Sequence, residues 1–393
     1  TSSGGQLTLP SLVGSDYVYA AFDEERYNVT YTNGTTAVLS SDQFAFTNGG
    51  KSATISGLTA SQSGNVIVQV TKQKSKVNSK VKTLIQCATL DITGSNKANS
   101  GVTTGLKDGL TTNGVYGKRV QDKEISLDNA DIIEVHAVFE SSGSGTPTIP
   151  KLTLAAFSGP NQNNTDIQIG EVGIGKSSGA AALVLARSGV DAVEIVTRNN
   201  QNFFETEEIS FQKSGVKANL STNEPGDPNI RKNYVLDNGQ RDEYYDFGRL
   251  TRKPNVSEPQ GRLKVFYDRY DIQGDDSGDL VTASSYEKEQ YDRVPSMGNV
   301  RNTDTIDIRP RVAQYSGSRS PFEFDSRIFS GGGSATNVLT SGENVTFDYD
   351  YYVGRKDRLY LNRNQSFTII EGTPSDNPQL PEPVSQSFEI AQI

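Results

Sequence analysis

Short runs of alternating apolar and polar residues, broken by Gly, Asn, Ser and Thr, recur along almost the whole chain. The first are YVYAAF, RYNVTYTNGTTAVL, FAFTNGGKSATI and NVIVQVTK, between residues 17 and 72. Period-two alternation turns one face of an extended strand inward and does not fit the 3.6-residue period of a helix. Asn33-Gly34 and Asn48-Gly49 each lie between two such runs, the residue pair favoured where a hairpin turn needs positive φ at both central positions. The 37 Gly residues, with abundant Asn, Ser and Thr, weaken helix interiors further. With no Trp, 17 Tyr and 16 Phe must supply the large core side chains. The expected fold class is mainly β, with several β-sandwich or small β-barrel domains in series and few short helices. Only SSYEKEQY around Tyr286 and the Ala-rich piece at 180–187 read as helical.

Residues 1–82 read as an Ig- or fibronectin-like sandwich of about seven strands, without the Cys pair and Trp of antibody domains. Residues 83–130 contain ITGSNKANSGVTTGLKDGLTTNGVYG and read as an extended linker or interaction arm, placed at 88–118. Residues 131–222 read as a β domain that carries a small β module at 161–222. Residues 223–393 read as a β-rich, Tyr/Arg-rich domain, with 241–270 as an interface surface. Strands on both sides of 161–222 leave open whether that module is inserted in a larger domain.

The net charge of −9 repels nucleic-acid phosphates unless a local basic patch intervenes. The one dense patch, KQKSKVNSKVK, places Lys72, Lys74, Lys76, Lys80 and Lys82 within eleven residues, the first three on one face of a strand. It reads as an edge strand that lysines protect from further pairing, and no aromatic residue interleaves to stack bases. No apolar run approaches the ~18 residues of a membrane span, and TSSGGQLTLP lacks the regions of a signal peptide.

A single cysteine, Cys87, and a single histidine, His136, exclude an internal disulfide and zinc sites built on Cys and His clusters. In ADIIEVHAVFE the alternation turns Ile133, Val135, Ala137 and Phe139 inward. His136 then falls on the opposite face with Glu134 and Val138, as a surface or second-face residue.

GEVGIGKS, Gly170 to Ser177, matches the phosphate-loop pattern G-x-x-x-x-G-K-[ST]. A phosphate loop also needs a buried parallel strand before it and a helix after it. Here DIQI is half polar, Gly179 would fall in the helix's first turn, and Asp191 begins a strand instead of ending one. The expectation is a turn between two strands with Lys176 solvated. GDDSGD (Asp275, Asp276, Asp279) and Asp304 with Asp307 offer oxygen ligands but lack the EF-hand loop, so they read as polar turns. No spacing selects a carboxylate pair for glycoside hydrolysis. Sequons at Asn28, Asn33, Asn163, Asn219, Asn255, Asn344 and Asn364 follow from the composition. No catalytic, cofactor or metal residues are assigned.

YVLDNGQRDEYYDFGRLTRK (234–253), RLKVFYDRYDIQGDDSGDLVTASSY (262–286), VRNTDTIDIRPRV (300–312), SPFEFDSRIF (320–329) and FDYDYYVGRKDRLYLNRNQSFTIIEGTPSDNPQLP (347–381) form a recognisable series of phrases. With VYGKRVQDKEISLDNADIIEVHAVFES (115–141) and IGEVGIGKSSGAAALVL, they resemble large virion structural proteins of tailed bacteriophages. The nearest in style are baseplate and tail-fibre-associated proteins of marine cyanobacterial myoviruses. The resemblance implies a non-catalytic virion component of the tail or baseplate. It would assemble in the host bacterial cytoplasm, homo-oligomeric and bound to other tail or baseplate proteins, without nucleic acid, membrane or cofactor. The alternative is a carbohydrate-binding adhesin or receptor-binding tail module that meets a host-surface glycan.

Overall fold

The computed structural model describes residues 4–12, 16–60, 64–97, 109–272, 280–329, 345–346, 348–349, 351 and 353–393. It is mainly β. Every helix among these residues is a short 3-10 turn, and none is long and apolar enough to cross a membrane. The chain divides into two compact units, Thr1–Val338 and Leu339–Ile393.

The N-terminal strands are β1 (Leu7–Thr8), β2 (Tyr17–Tyr19), β3 (Tyr27–Tyr31), β4 (Phe44–Thr47), β5 (Ser52–Ile55), β6 (Val66–Val70) and β7 (Lys72–Lys74). They form three small sheets, β1-β5-β4, β2-β7 and β3-β6, where the sequence suggested two. One core holds them together, with Leu7, Tyr27, Val29, Ala53 and Ile55 at its centre. Asn48 and Gly49 take positive φ in the turn from β4 to β5, as their residue types require. Lys72 and Lys74 share a face of β7 over the Tyr17 ring.

Next come β8 (Lys82–Ile92), the short parallel pair β9 (Gly94–Ser95) and β10 (Thr111–Thr112), β11 (Glu124–Ala130) and β12 (Ile132–Glu140). The segment expected as a linker at 83–130 is thus strand at both ends; 98–108 of the expected arm lies outside the described residues. The physical reason is apolar content: Ile92, Ile125 and Leu127 are fully buried core residues.

A barrel follows: β13 (Lys151–Ser158), β14 (Val172–Gly175), β15 (Ala181–Ser188), β16 (Ala192–Thr197), β17 (Glu208–Phe211) and β18 (Lys217–Glu224). These close in the order β13-β16-β15-β14-β17-β18. The Ala-rich piece at 180–187, expected as helix, is strand β15. Ala180, Ala182 and Val184 line the barrel core, while Leu183 and Leu185 face a second core outside it. Apolar residues on both faces erased the alternation that marks a strand.

After the barrel come β19 (Tyr234–Asp237), β20 (Phe247–Arg252), β21 (Leu263–Ile272) and the small hairpin β22 (Ser296–Met297) and β23 (Val300–Arg301). The SSYEKEQY region holds only 3-10 turns, Ala283–Tyr286 and the start of Tyr291–Arg293. Strands β12-β21-β8 and β11-β20-β19 form two antiparallel sheets. They pack face to face around Ile125, Leu127, Val138, Leu250 and Val265. The barrel is therefore inserted between β12 and β19 of this sandwich. It packs on the other face of the β12-β21-β8 sheet through Leu183, Leu185 and Val196 against Cys87, Ala137, Phe139 and Phe266.

The expected Tyr/Arg surface at 241–270 is corrected by this packing. Tyr245, Tyr267 and Tyr270 are core residues. Arg241 and Arg249, with Arg327, converge on the buried carboxylate of Asp246.

The second unit is a three-stranded antiparallel sheet of β24 (Arg358–Leu361), β25 (Phe367–Ile370) and β26 (Phe388–Gln392), in the order β25-β24-β26.

Candidate functional site

The barrel is built twice over. An offset of 36 residues (208 − 172 and 217 − 181) carries β14 onto β17 and β15 onto β18. The pairing repeats: Val172↔Leu183 matches Glu208↔Asn219, and Ile174↔Ala181 matches Ser210↔Lys217. Even the bulge recurs, after Val184 in β15 and, opposite Thr153/Leu154, after Leu220 in β18. A pseudo-two-fold axis thus passes between Ile174 and Ser210, which pair with each other.

GEVGIGKS lies within the first copy of this motif. The turn between β14 and β15 spans Lys176 to Gly179, and Gly179 has φ +65. Its amides are already taken. Ser177 and Ser178 donate their N–H groups to Glu207 Oε2 at 3.0 Å each, and Ser178 Oγ donates to Glu207 Oε1 at 2.7 Å. The backbone N–H of Phe204 donates to the same carboxylate at 2.7 Å. A Cβ on Gly175 would come within 2.6 Å of Glu207 Oε1, so glycine is needed there for the carboxylate to approach. An internal carboxylate fills the amide cradle that a phosphate would use. Lys176 is 72% exposed and pairs only loosely with Glu208, at 3.3 Å. Asp191 sits in an exposed turn.

The second copy reverses the roles. Lys213 and Ser214 donate their N–H groups to Glu171 Oε2 at 2.8 and 2.9 Å, and Gln168 N–H donates to Oε1. Burial tends to raise the pKa of Glu207, but the donors from Ser178, Phe204 and Ser177 outweigh it and hold the carboxyl below its usual range. The sequence carried a signal for this pair: Glu171 and Glu207 stand equally far ahead of Ser178-Gly179 and Ser214-Gly215.

The second cluster lies at the seam between sandwich and barrel. Two bulges position it. Gln86 and Cys87 together oppose Asp268, between the pairs Ala88↔Tyr267 and Ile85↔Arg269. His136 is the extra residue between Val135↔Tyr267 and Ala137↔Phe266. His136 keeps the Glu134 face, opposite Val135, but the barrel packs on that face, so the residue is interior where the sequence pattern placed it on the surface; its side chain is 3% exposed.

Asp268 Oδ1 accepts the Cys87 N–H at 2.7 Å and lies 2.9 Å from His136 Nε2, while Oδ2 takes Arg293. On the barrel side, Arg198 Nη2 lies 2.9 Å from His136 Nδ1, and Cys87 Sγ donates to the Val184 carbonyl at 3.6 Å. Glu134 Oε1 is 3.7 Å from Nδ1. Burial and the Asp268 carboxylate push the Cys87 thiol up to about 12, opposite to the depression that makes a thiolate nucleophile. Burial works against charge on His136, yet Asp268 and Glu134 raise its pKa.

No family model, curated protein or solved structure matches this chain.

The remaining acidic candidates have partners within the protein. Asp304 accepts the Tyr291 hydroxyl at 2.6 Å, and Asp307 is held by Arg309 at 2.7 Å. Asp275, Asp276 and Asp279 lie outside the described residues.

A third polar centre surrounds Lys82, which the sequence placed in a solvated lysine patch; Lys80 and Lys82 are instead buried, Lys82 at the start of β8. Its Nζ donates to Asp131 Oδ2 at 2.7 Å and to Tyr245 Oη at 3.2 Å, with both side chains of the ion pair fully buried. The rings of Tyr245, Tyr286 and Tyr270 stand 4.4, 4.9 and 5.7 Å from the ammonium. Burial lowers the lysine's pKa and Asp131 partly offsets it.

Proposed function

We propose that this chain is a structural component of a tailed-phage virion, of the tail or the baseplate and fibre attachment, acting through protein–protein assembly without catalysis. The observation that carries the reading is the apolar face of the C-terminal sheet. Phe367, Leu361 and Phe388 stand in one row across the three strands, with Leu359 and Ile369 paired beside them. Phe367 is 67% exposed and Phe388 71%. The opposite face is closed by the chain itself: Arg358 pairs with Glu389 and donates to the Pro381 carbonyl, and the Tyr360 hydroxyl accepts the Val384 N–H. A sheet with one open apolar face gains stability by covering it, and exposed contiguous patches of this kind mark association surfaces. The phrase resemblance at 115–381 supports the same reading and supplies its phage context.

Light scattering on the full chain tests this. An assembly larger than one chain is expected, and Phe367→Asp with Phe388→Asp is expected to reduce it to single chains. A wild-type chain that stays monomeric at about 100 μM, well above the micromolar range of specific association, would count against the proposal. A glycan array run in parallel examines the adhesin alternative: tight saccharide binding by that monomer would favour it.

A further inference from the structure

The chain has one cysteine and one histidine in 393 residues, and the fold brings them together. Cys87, His136 and Asp268, all buried, each offer one ligand atom, and these atoms lie within 4.8 Å of one another. Three adjacent strands supply them, at two bulges. Cys87 takes φ +51 to reach this position. Left-handed backbone is uncommon for a residue other than Gly, Asn or Asp, and such strain concentrates at functional sites.

His136 Nε2 adds an independent observation. It is buried and has no aligned hydrogen-bond partner, although Asp268 Oδ1 is only 2.9 Å away. A ring nitrogen and a carboxylate oxygen at this distance either pair with each other or serve as two ligands of one cation. Thiol, imidazole and carboxylate are the donor types that zinc accepts. A hollow of about 430 Å³ is lined by Glu134 and Arg293, which contact His136 and Asp268, among others.

We propose that Cys87, His136 and Asp268 form a three-ligand site for a borderline-soft divalent cation of the zinc class, at the seam between sandwich and barrel. Binding releases the thiol proton to solvent, and the Cys87 sulfur becomes a thiolate ligand. His136 binds through Nε2 and keeps its proton on Nδ1, directed toward Glu134, the second carboxylate that orients the ring, so Arg198 Nη2, 2.9 Å from Nδ1 in the metal-free fold, has to turn away from that proton. Arg198 keeps its own contact to Glu134, 3.6 Å from Nη1. Three protein ligands leave a further position for water. The ion would tie β8, β12 and β21 together directly under the barrel strands they carry.

Cobalt titration of the metal-stripped full chain tests the site. One Co²⁺ per chain is expected, with a near-ultraviolet thiolate-to-cobalt charge-transfer band that Zn²⁺ displaces. Cys87→Ser is expected to abolish the band, and His136→Gln to weaken binding at least ~10-fold, while Lys176→Ala leaves both unchanged. A wild-type chain that is folded by circular dichroism yet shows no band at a hundredfold excess of Co²⁺ overturns the proposal. A band that persists in Cys87→Ser overturns it too. The wild-type titration decides the matter even if either ligand variant misfolds.

Discussion

Glu171 and Glu207 occupy equivalent places in the two halves of the barrel, and each carboxylate is bound by the turn of the other half. Neither half is therefore satisfied alone. The turn amides of one hairpin find their acceptor on the other, a reciprocal arrangement that fixes strand register as well as closure. The N–H groups of a Ser-Gly turn that face the protein need an acceptor even where residues of the turn are exposed, as Ser177 and Gly179 are, and here the fold supplies one twice.

Glu171→Gln and Glu207→Gln should each destabilise the barrel by about 1–3 kcal/mol, because an amide presents only one accepting atom and leaves turn donors unpaired. Hydrogen exchange read over residues 151–224 is the suitable measurement, since it reports on the barrel without assuming that the whole chain unfolds in one step. Similar losses from both substitutions are expected. A normal exchange pattern in either variant would refute the reciprocal role.

Acid should weaken the same contacts. The Glu207 carboxyl titrates below its ordinary value of 4.5 in the folded protein. Its contribution is therefore complete above that ordinary value and is lost as pH falls through the lower folded one. Barrel exchange rates in the wild type should approach those of Glu207→Gln as pH is lowered from 7 toward 3. A gap between them that stays constant across this range would contradict the assignment.

GEVGIGKS should bind no nucleotide. Calorimetry with ATP and Mg²⁺ is expected to show no heat of binding in the wild type or in Lys176→Ala. The substitution should change stability by less than ~0.5 kcal/mol, as expected for an exposed side chain in a loose pair. Saturable binding lost on substitution would reverse this conclusion.

Lys82→Met should cost about 3–5 kcal/mol, because it leaves the buried Asp131 carboxylate with only Gln240 Nε2, at 3.1 Å, among its side-chain donors here. Adding Asp131→Asn should recover much of that loss, since Asn tolerates the positive φ of this position. Strictly additive penalties in urea melts would show that the two side chains are not coupled.

Fold class and local shape were legible from the residues alone. Alternation gave the strands of the N-terminal module, and Asn48-Gly49 marked its turn, because side-chain period and the φ preference of single residues are local properties. The surroundings of GEVGIGKS were likewise enough to favour a turn over a phosphate loop. Pairing was not legible. Which strand lies beside which depends on contacts such as β21 with β8, between residues far apart in the chain. Coverage and a bulge then changed the pattern where it mattered most: the barrel buries the face that carries His136, and the extra residue there turns Ala137 and Phe139 onto that same face. Only the tertiary structure could bring Cys87, His136 and Asp268 together and let Glu171 and Glu207 serve each other's turns. A residue's sequence position sets the face it can present, whereas its partner is chosen by the packing of whole sheets.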